Sequence, residues 1–460
     1  MLDGPDADLR SRLRAVPRSM RPTSPAQFIV AAFLVVVVAG TAALMVPLAR
    51  AGQGGAGFLE ALFTATSAVS VTGLTVVDTA EHWTPLGQVV ILVLIQIGGL
   101  GIMTSASLLG LLTLRRFGMS TRISALEESR SIGPGDLRSV VSSVVRISLV
   151  IEVVVAVALA ARLAAGYGEP PLRALWLGVF HAISAFNSAG FALYADSLER
   201  FAGDPLVLLP IGVAVVLGSL GFPVLLELSR ELVRPRRWSL NTVLVLWAGG
   251  ILLALGSVLS TALEWHNPAT LGPLSTGQKL FAGAFEMVVP RSAGFTTGPI
   301  DDLDRGSWLV LDALMFIGSG PAGTGGGIKL TTAAVLFFVI YAEARGDSAV
   351  NAFGRRIPRS VHRQAISVVL LATGAVAAAT LALTLISRAP LEEVLFEVIS
   401  AFATVGLSTG LTERLPPAGH VLLVVLMLVG RLGPITVATA LALSRRSRLY
   451  QLPEERPIIG

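Results

Sequence analysis

The chain has 460 residues, of which 53% are hydrophobic and only 14% are charged, and its mean hydropathy is +0.74. A water-soluble protein needs a more highly charged surface, so this composition indicates an integral membrane protein. The absence of cysteine excludes disulfides, thiolate metal sites and cysteine nucleophiles, and the five histidines do not have the spacing of a metal site.

The first apolar run covers residues 27–48 and follows a segment rich in arginine. It is longer than the apolar core of a signal peptide, and it is long enough to cross about 30 Å of hydrocarbon. We therefore expect a retained membrane span, preceded by a cytoplasmic N-terminal segment over residues 1–26.

From this run onward, one order of apolar segments recurs four times: a long run, a shorter run and a second long run. We call these units one to four and expect them at residues 27–134, 135–237, 238–358 and 359–449, with a C-terminal tail at 450–460. The long runs are predicted to be spanning helices at 27–48 and 84–114, 140–165 and 205–230, 240–263 and 306–343, and 364–387 and 418–444.

The shorter runs lie at 57–69, 173–187, 276–289 and 391–403. About twelve apolar residues are too few to span a bilayer, so such a run is either a buried core helix or a re-entrant helix. Recurrence at matching positions favours re-entrant pore helices. The predicted fold is therefore an all-α integral membrane protein, with about eight spanning helices and four re-entrant pore helices around a central ion pore.

Arginines fall in five clusters, which all lie on one side of the membrane if each unit crosses it twice. This positive-inside pattern predicts cytoplasmic N- and C-termini, and the opposite loops carry acids such as Glu81, Glu199 and Asp301. The net charge of +5 therefore reflects orientation, and no feature indicates nucleic acid binding. The clusters are Arg10–Arg21, Arg115–Arg138, Arg230–Arg237, Arg345–Arg363 and Arg445–Arg448.

Each shorter run leads into small residues that end on a glycine. The four glycines are separated by 104 to 117 residues, and Phe63, Phe180 and Phe396 precede three of them by ten residues. The third copy departs from this spacing, since Ala284 occupies that place. A weak repeat of this period indicates one structural unit used four times. The stretches are Val71-Thr72-Gly73, Ser188-Ala189-Gly190, Ser292-Ala293-Gly294 and Thr404-Val405-Gly406.

These stretches have the chemistry of an ion selectivity filter. Backbone carbonyl oxygens must replace the hydration shell of a conducted cation, so the backbone must approach the pore axis closely. Glycine allows this because it lacks a Cβ atom and reaches positive φ without strain. A helix that ends at the site directs its negative dipole end toward the cation. A single such glycine is more typical of ordinary helix packing in membranes, but four copies favour a filter.

A second glycine motif recurs in the long run after each stretch, at Gly98, Gly218, Gly318 and Gly430. In unit three it continues as a glycine-rich segment, residues 318–328, that cannot easily stay helical. Unwound backbone at membrane depth marks ion or substrate sites in transporters. We expect the segment to close the pore and to move during conduction. Its glycines are Gly318, Gly320, Gly323, Gly325, Gly326 and Gly327.

Two cations accompany this segment. Arg431 lies in an apolar run, where arginine is costly unless it faces the bundle or water, so it is either a gating residue or a snorkelling or interhelical arginine without a gating role. Lys329 is either a gating residue or close enough to the cytoplasmic face to snorkel. Lys329 does not complete a phosphate-binding loop, because Ile328 separates it from Gly327 and an apolar span precedes the segment.

Of four other charged residues, three have two possible roles each. Glu286 and Glu397 lie in the third and fourth shorter runs, where a carboxylate either supports the filter or is a satisfied structural group. Arg291 adjoins the third stretch and either braces it or is structural. Glu152 lies in a spanning run and is expected to be paired inside the bundle.

The four Gly-containing stretches, read as Val-Thr-Gly-Leu, Ser-Ala-Gly-Phe, Ser-Ala-Gly-Phe and Thr-Val-Gly-Leu, resemble the Trk/Ktr/HKT superfamily of cation transporters. The resemblance covers nearly the whole chain from about Pro25. Trk-type members carry two spans before the first unit, so the Ktr-type potassium-translocating membrane subunit, KtrB, is the nearer match. Gly73 stands where some sodium-preferring plant relatives have serine, which implies potassium as the transported ion, with sodium as the alternative.

The resemblance also implies roles and partners. It implies that residues 318–328 form an intramembrane gating loop and that Arg431 holds the closed loop through hydrogen bonds to carbonyl oxygens. It implies a homodimer in a bacterial cytoplasmic membrane, each subunit with its own pore surrounded by lipid. A cytoplasmic ring of KtrA-like nucleotide-binding regulatory subunits would open the gate, and the chain itself would need no organic cofactor and would not be an enzyme.

Three alternatives stay open at this point. The first is a sodium or non-selective monovalent cation transporter of the same fold. The second is a secondary transporter for a small solute, which would need a midplane site with polar groups specific to that solute, and the sequence shows none. The third is an intramembrane enzyme, which would need paired acids, a Ser-Lys or Ser-His pair or metal ligands, and no such constellation is visible.

Overall fold

The computed structural model describes residues 25–52, 54–116, 137–291 and 293–433. Within these ranges the regular secondary structure is helical apart from one short two-stranded hairpin. The predictions for the N-terminal segment up to residue 24, for the tail at 450–460 and for Ser292 lie outside the described residues. The arginines between residues 117 and 136 and beyond 433 do so as well.

Unit one contains two long helices on either side of a half-length helix. The half-length helix leads directly into the first glycine stretch, and its residues from Phe63 to Ser70 are all buried. The elements are α1 (Pro25–Leu44), a 3-10 turn (Pro47–Ala49), α2 (Phe58–Ser70), α3 (Thr79–His82) and α4 (Pro85–Arg116).

Unit two repeats this order but breaks its last helix. The run expected to form one span over 205–230 is two helices instead of one, because the chain bends by 102° at Gly221. The φ angle of Gly221 is 90°, and a Cβ atom there would collide with the carbonyl oxygen of Pro321, so only glycine fits this turn. The elements are α5 (Leu137–Tyr167), α6 (Pro171–Phe186), a 3-10 turn (Glu199–Phe201), α7 (Pro205–Leu220), α8 (Phe222–Glu231) and a 3-10 turn (Pro235–Arg237).

Unit three has its second long run interrupted, as the glycine-rich segment predicted. Residues 317–329 are non-helical, and we call them the glycine-rich loop. A two-stranded hairpin follows, with Phe353 and Gly354 at positive φ in its turn. The elements are α9 (Leu240–Glu264), α10 (Thr276–Val288), a 3-10 turn (Val289–Arg291), α11 (Arg305–Phe316), α12 (Leu330–Ala344), β1 (Asn351–Ala352) and β2 (Arg355–Arg356).

Unit four returns to the order of unit one. Its half-length helix is buried from Phe396 to Ala403, and its last described helix ends at Leu432, so the remainder of the predicted span at 418–444 lies outside the described residues. The elements are α13 (Arg359–Ser387), α14 (Leu391–Ala403), α15 (Leu411–Arg414) and α16 (Pro417–Leu432).

The long first helices of the units surround the half-length helices. Among the described residues, four helices are long and apolar enough to cross a membrane, and they are the first helices of the four units. Their most apolar windows are only 28–33% buried, so most of their side chains face outward, as in helices that contact lipid. The bent pair of α7 and α8 makes a fifth candidate if it counts as one span. The chain is therefore built as a multi-pass membrane protein with its half-length helices in the interior.

Candidate functional site

The four predicted glycines form a closed ring. Their φ angles are 92°, 70°, 61° and 94° in chain order, and each glycine faces the stretch of the next unit. A Cβ atom at Gly190 would lie 2.7 Å from the carbonyl oxygen of Ala293, and one at Gly294 would lie 2.8 Å from that of Val405. Cβ atoms at the other two would collide with carbonyl oxygens as well: Gly73 with Ala189, and Gly406 with Thr72. Both the dihedral angles and the close approach require glycine.

The ring assembles eleven of the twelve predicted filter residues, Ser292 lying outside the described residues. Among the described residues, no hydrogen bond ends on the carbonyl oxygens of Thr72, Ala189, Ala293 or Val405. Buried backbone carbonyls are nearly always paired in folded proteins. A ring of buried, unpaired carbonyl oxygens is therefore able to coordinate a dehydrated cation.

Three of the half-length helices end in the same way. A residue in the left-handed conformation follows each helix: Val71, Ser188 and Thr404 have φ angles of 55°, 58° and 52°. The next N–H group bonds back to a carbonyl oxygen five positions earlier, at Ser67, Ser184 and Ser400, over 2.7–2.9 Å. This is the Schellman arrangement, and it turns the chain away from the helix axis toward the ring.

Serine side chains hold the outgoing strand against its helix. Ser67 Oγ accepts a hydrogen bond from Gly73 N at 3.0 Å, and Ser400 Oγ accepts one from Gly406 N at 3.1 Å. Because the N–H groups of these glycines are used on the helix side, the carbonyl groups of the strand remain available to the ring.

Unit three departs from this pattern by one residue. The N–H group of Ala293 bonds to the carbonyl oxygen of Val289, four positions earlier instead of five, at 2.8 Å. Phe285 therefore takes the place of Phe180, and both are buried. The ten-residue spacing in the sequence left this phenylalanine out of the repeat, because it lies nine rather than ten residues before its glycine. A search that allowed a one-residue deletion would have found it.

The second glycine motif lets the later helices pack on the ends of the half-length helices. Cβ atoms at Gly98, Gly218 and Gly430 would collide with the carbonyl oxygens of the residues four positions before each ring glycine. Those residues are Val69, Phe186 and Phe402. In unit three, Gly318 instead lies against Gly326 of its own loop.

The glycine-rich loop is docked on the broken helix of unit two. Gly320 N donates to Ser219 O at 2.8 Å, and Thr324 N donates to Gly218 O at 3.2 Å. The base of the loop is closed by a bond from Gly318 N to Ile328 O at 2.9 Å. All six predicted gating glycines lie in this non-helical segment, whose backbone is satisfied largely by neighbours rather than by a helix of its own.

The loop also contacts two stretches of the ring. The Thr324 and Ser188 hydroxyls form a hydrogen bond of 2.8 Å, and Gly326 N donates to Thr404 Oγ1 at 2.9 Å. Ser188 and Thr404 are the left-handed residues that begin their stretches. The loop therefore lies directly against the residues that set the course of the ring.

Two cationic side chains donate hydrogen bonds to the loop. Arg431 is 4% exposed, donates one bond to the carbonyl oxygen of Thr324 and donates a second to that of Gly98 at 3.2 Å. Lys329 donates to Gly325 O at 2.6 Å. Among the described residues, no carboxylate compensates either charge. Arg431 thus points into the bundle instead of snorkelling, and it bridges the loop to α4.

The two glutamates of the half-length helices differ. Glu397 accepts hydrogen bonds from the Ser408 hydroxyl, from Thr409 N at 3.0 Å and from Thr412 Oγ1 at 2.7 Å, so it supports the chain that leaves the fourth stretch. Glu286 has one long contact, to Ser260 Oγ at 3.5 Å. The side chain of Arg291 lies outside the described part of the structure.

Comparison with known proteins identifies related sequences over most of the chain. The TrkH family model, described as cation transport protein, matches residues 10–450. The "Ktr system potassium uptake protein B" of Bacillus subtilis is 37% identical, over 93% of this chain and 95% of that protein. The protein of the same name in Vibrio alginolyticus is also 37% identical, over 94% of each.

Two further comparisons bear on the ion and on the fold. The "Potassium/sodium uptake protein NtpJ" of Enterococcus hirae is 32% identical over 96% of this chain and 99% of that protein. The crystal structure of the potassium transporter TrkH from Vibrio parahaemolyticus superposes with a TM-score of 0.73 at 18% identity, covering 95% of this chain and 89% of that one. The second likeness concerns the fold alone.

Proposed function

The chain belongs to the TrkH family of cation transport proteins, and on this basis we propose that it takes up potassium through the glycine ring, gated by the glycine-rich loop. The names of its relatives are those of potassium transport proteins rather than enzymes. The alternatives of an intramembrane enzyme and of a solute carrier find no support in those names.

One observation carries the proposal: the four stretches meet in a ring whose carbonyl oxygens accept no hydrogen bond within the described residues. Such oxygens favour a monovalent cation that sheds its water, and the ends of three half-length helices add their negative dipole to the same place. Potassium is the ion that we assign, because Gly73 is intact and the most similar relatives above carry potassium in their names. Sodium, which the Enterococcus relative's name includes, is the alternative.

The loop is proposed as the gate because it occupies the space beside two stretches of the ring and brings positive charge with it. Lys329 and Arg431 have no compensating carboxylate among the described residues, and a cation that leaves the ring would meet both. Among the described residues, six hydrogen bonds join the loop to other segments, three of them at Thr324, so moving the loop breaks this set of bonds but no helix.

The partners are proposed from the same family. The Ktr system names of the relatives imply a further component, which we take to be a cytoplasmic, KtrA-like nucleotide-binding ring. We further propose a homodimer in a bacterial cytoplasmic membrane with both termini in the cytoplasm, since the arginine clusters of the sequence would all lie on one side if each unit crosses the membrane twice. Outward-facing side chains on the four long helices fit a lipid surround.

The test is cation flux into liposomes that contain the purified chain, with K⁺, Rb⁺ and Na⁺ compared under one gradient. We expect K⁺ and Rb⁺ flux well above Na⁺ flux, and we expect Gly73→Ser to reduce that preference by about tenfold, because the added side chain collides with Ala189. Gly250→Ser is the control, since nothing lies near a Cβ atom at that position. Equal or dominant Na⁺ flux would discard potassium but keep the pore.

A further inference from the structure

A buried polar cluster joins three helices behind the second stretch of the ring. It consists of Gln96 on α4, Glu152 on α5 and Asn187, the residue that follows α6 and precedes Ser188. Glu152 is 4% exposed and Asn187 is fully buried. The sequence analysis left the role of Glu152 open, and nothing in the proposed pore or gate uses it.

The contacts within the cluster are specific. Gln96 Nε2 donates to both carboxylate oxygens of Glu152, at 3.0 and 3.1 Å. Asn187 Nδ2 donates to Gln96 Oε1 at 2.8 Å and to Glu152 Oε1 at 3.3 Å. Because Nδ2 carries only two hydrogens, one of them is shared with a third acceptor, the carbonyl oxygen of Ile183 at 3.0 Å, which fixes the side chain against the end of α6. The three groups therefore form a closed triangle of hydrogen bonds.

The backbone around the cluster makes room for it. A Cβ atom at Gly99 would collide with the side chain of Asn187, so the glycine allows α4 to lie directly against the residue that opens the second stretch. Gly98, the preceding residue, packs on the end of α2 and accepts a bond from Arg431. The same turn of α4 thus touches the first half-length helix, the second stretch and the arginine below the loop.

The other described stretches lack such an anchor. Ser70 and Ala403 occupy the place of Asn187 in units one and four. Ser70 bonds only within its own unit, to Thr66 O at 2.6 Å and to Thr72 Oγ1 at 2.7 Å. Ala403 has no polar side chain. Within the described residues, unit two alone ties the start of its stretch to two other helices.

A buried carboxylate without a cationic partner is costly, so its retention needs a reason. The only described groups that compensate Glu152 are the two amides of the cluster. A merely structural link between α4 and α5 could be made by packing apolar side chains. We propose, on the basis of the proposed function, that Glu152, Gln96 and Asn187 are positioning residues that set the second strand of the ring and thereby its ion selectivity.

The mechanism is geometric. Asn187 is the last residue before the left-handed Ser188, so its orientation sets the direction in which the strand leaves α6. Ala189 and Gly190 follow, and both lie at the contact points of the ring. Glu152 does not touch the ion. It acts through Asn187, holding the amide in one position as a hydrogen-bond acceptor, which also keeps the hydroxyl of Ser188 directed at Thr324 of the loop.

The experiment compares Rb⁺ with Na⁺ flux in liposomes for the full chain and four variants, with thermal unfolding measured in parallel. Glu152→Ala removes an acceptor of the triangle and Asn187→Ala removes a donor. We expect each to lower the Rb⁺/Na⁺ flux ratio by about tenfold, since a buried polar group loses its hydrogen-bond partner in both variants. Glu152→Gln keeps an acceptor and removes the charge, so its ratio should stay within about twofold of the original. Because two different variants disrupt the triangle, the inference can still be tested with one of them if the other does not fold.

Glu264→Ala is the matched control. Glu264 is also fully buried and accepts several hydrogen bonds, from Asn267 at 2.7 Å, Thr270 at 2.7 Å and Asp304 N at 3.0 Å, but these hold a loop beyond α9 rather than a ring stretch. It should lower thermal stability and leave the flux ratio unchanged.

The outcomes separate the two proposals. If the original chain passes Na⁺ as fast as Rb⁺, the potassium function is overturned and this inference with it. If the original chain is selective and Glu152→Ala and Asn187→Ala are equally selective, the inference alone is overturned. A Glu152→Gln ratio as low as that of Glu152→Ala would also overturn it, because the effect would then come from charge and not from position.

Discussion

Units two and three break their second long run at nearly the same place, but in opposite ways. In unit two a single residue, Gly221, turns the chain by 102°, and helix resumes at once. In unit three the helix is lost over residues 317–329. The two breaks touch, since Phe222 N donates to Ala322 O at 3.3 Å. The break in unit two is rigid because it is confined to one residue, whereas the loop in unit three is non-helical over residues 317–329 and depends on hydrogen bonds that its neighbours supply.

This difference indicates which of the two segments can move at the lower cost in free energy. Moving α8 relative to α7 would disturb two helices and their packing, whereas releasing the loop costs a few hydrogen bonds of about 1 kcal/mol each. The broken helix of unit two is the fixed surface on which the loop docks, and the loop is the part that can move away from it. Conduction through the ring would then require a change in unit three and none in unit two.

Deleting residues 320–326 is the strongest way to test this contrast. The ends can be joined, because Gly318 N and Ile328 O are 2.9 Å apart across the base of the loop. We expect Rb⁺ flux without any partner protein to rise by about tenfold or more, since the bonds to Ser219, Gly218 and Thr404 are lost together.

The control for this deletion is the same variant carrying Gly73→Ser, which should lose its preference for Rb⁺ over Na⁺ while flux stays high. That result would place the barrier in the loop and the selectivity in the ring. Unchanged flux in the deletion variant would remove the loop as the gate.

Sequence reasoning located the loop and the ring because each leaves a strong local signature. The ring glycines recur at a regular spacing of 104 to 117 residues: Gly73, Gly190, Gly294 and Gly406. The segment between Gly318 and Gly327 combines a proline with several glycines, so it cannot remain helical. The half-length helices followed from run length together with recurrence at matching positions, and the structure gives α14 the predicted bounds of 391–403.

The bend at Gly221 could not be predicted in the same way. Gly101 occupies the equivalent place in unit one, three residues after the packing glycine, and it lies within the continuous helix α4. In the structure the carbonyl oxygen of Pro321 lies against Gly221, and this contact joins segments a hundred residues apart that no local pattern connects. The cluster of Gln96, Glu152 and Asn187 could not be predicted from the sequence for the same reason, since no local pattern joins three distant polar residues.

Gly221→Ala tests the rigid side of the comparison. The φ and ψ angles of Gly221, 90° and 147°, lie in a region that is nearly exclusive to glycine, and the new Cβ atom would collide with Pro321. We expect a loss of roughly 3 kcal/mol in stability, seen as a lower Tm in thermal unfolding.

Gly250→Ala in α9 is the control for that variant, because nothing lies within 4 Å of a Cβ atom there and alanine favours a helix. Its Tm should be equal or slightly higher. If Gly221→Ala were as stable as this control, the bend at residue 221 would tolerate a side chain. The contrast between a rigid break in unit two and a movable loop in unit three would then fail.

Arg431→Gln addresses the smallest difference, that between the two cations beside the loop. Arg431 bridges the loop to α4, whereas Lys329 bonds to Gly325 within the loop itself. Removing the bridge loses two charge-assisted hydrogen bonds but also relieves the cost of a buried charge, so we expect partner-free Rb⁺ flux to rise by about fivefold. Lys329→Gln should change it by less than about twofold, because the bond it loses does not tie the loop to another helix. Equal increases in the two variants would show that positive charge alone, rather than the bridge to α4, restrains the ion.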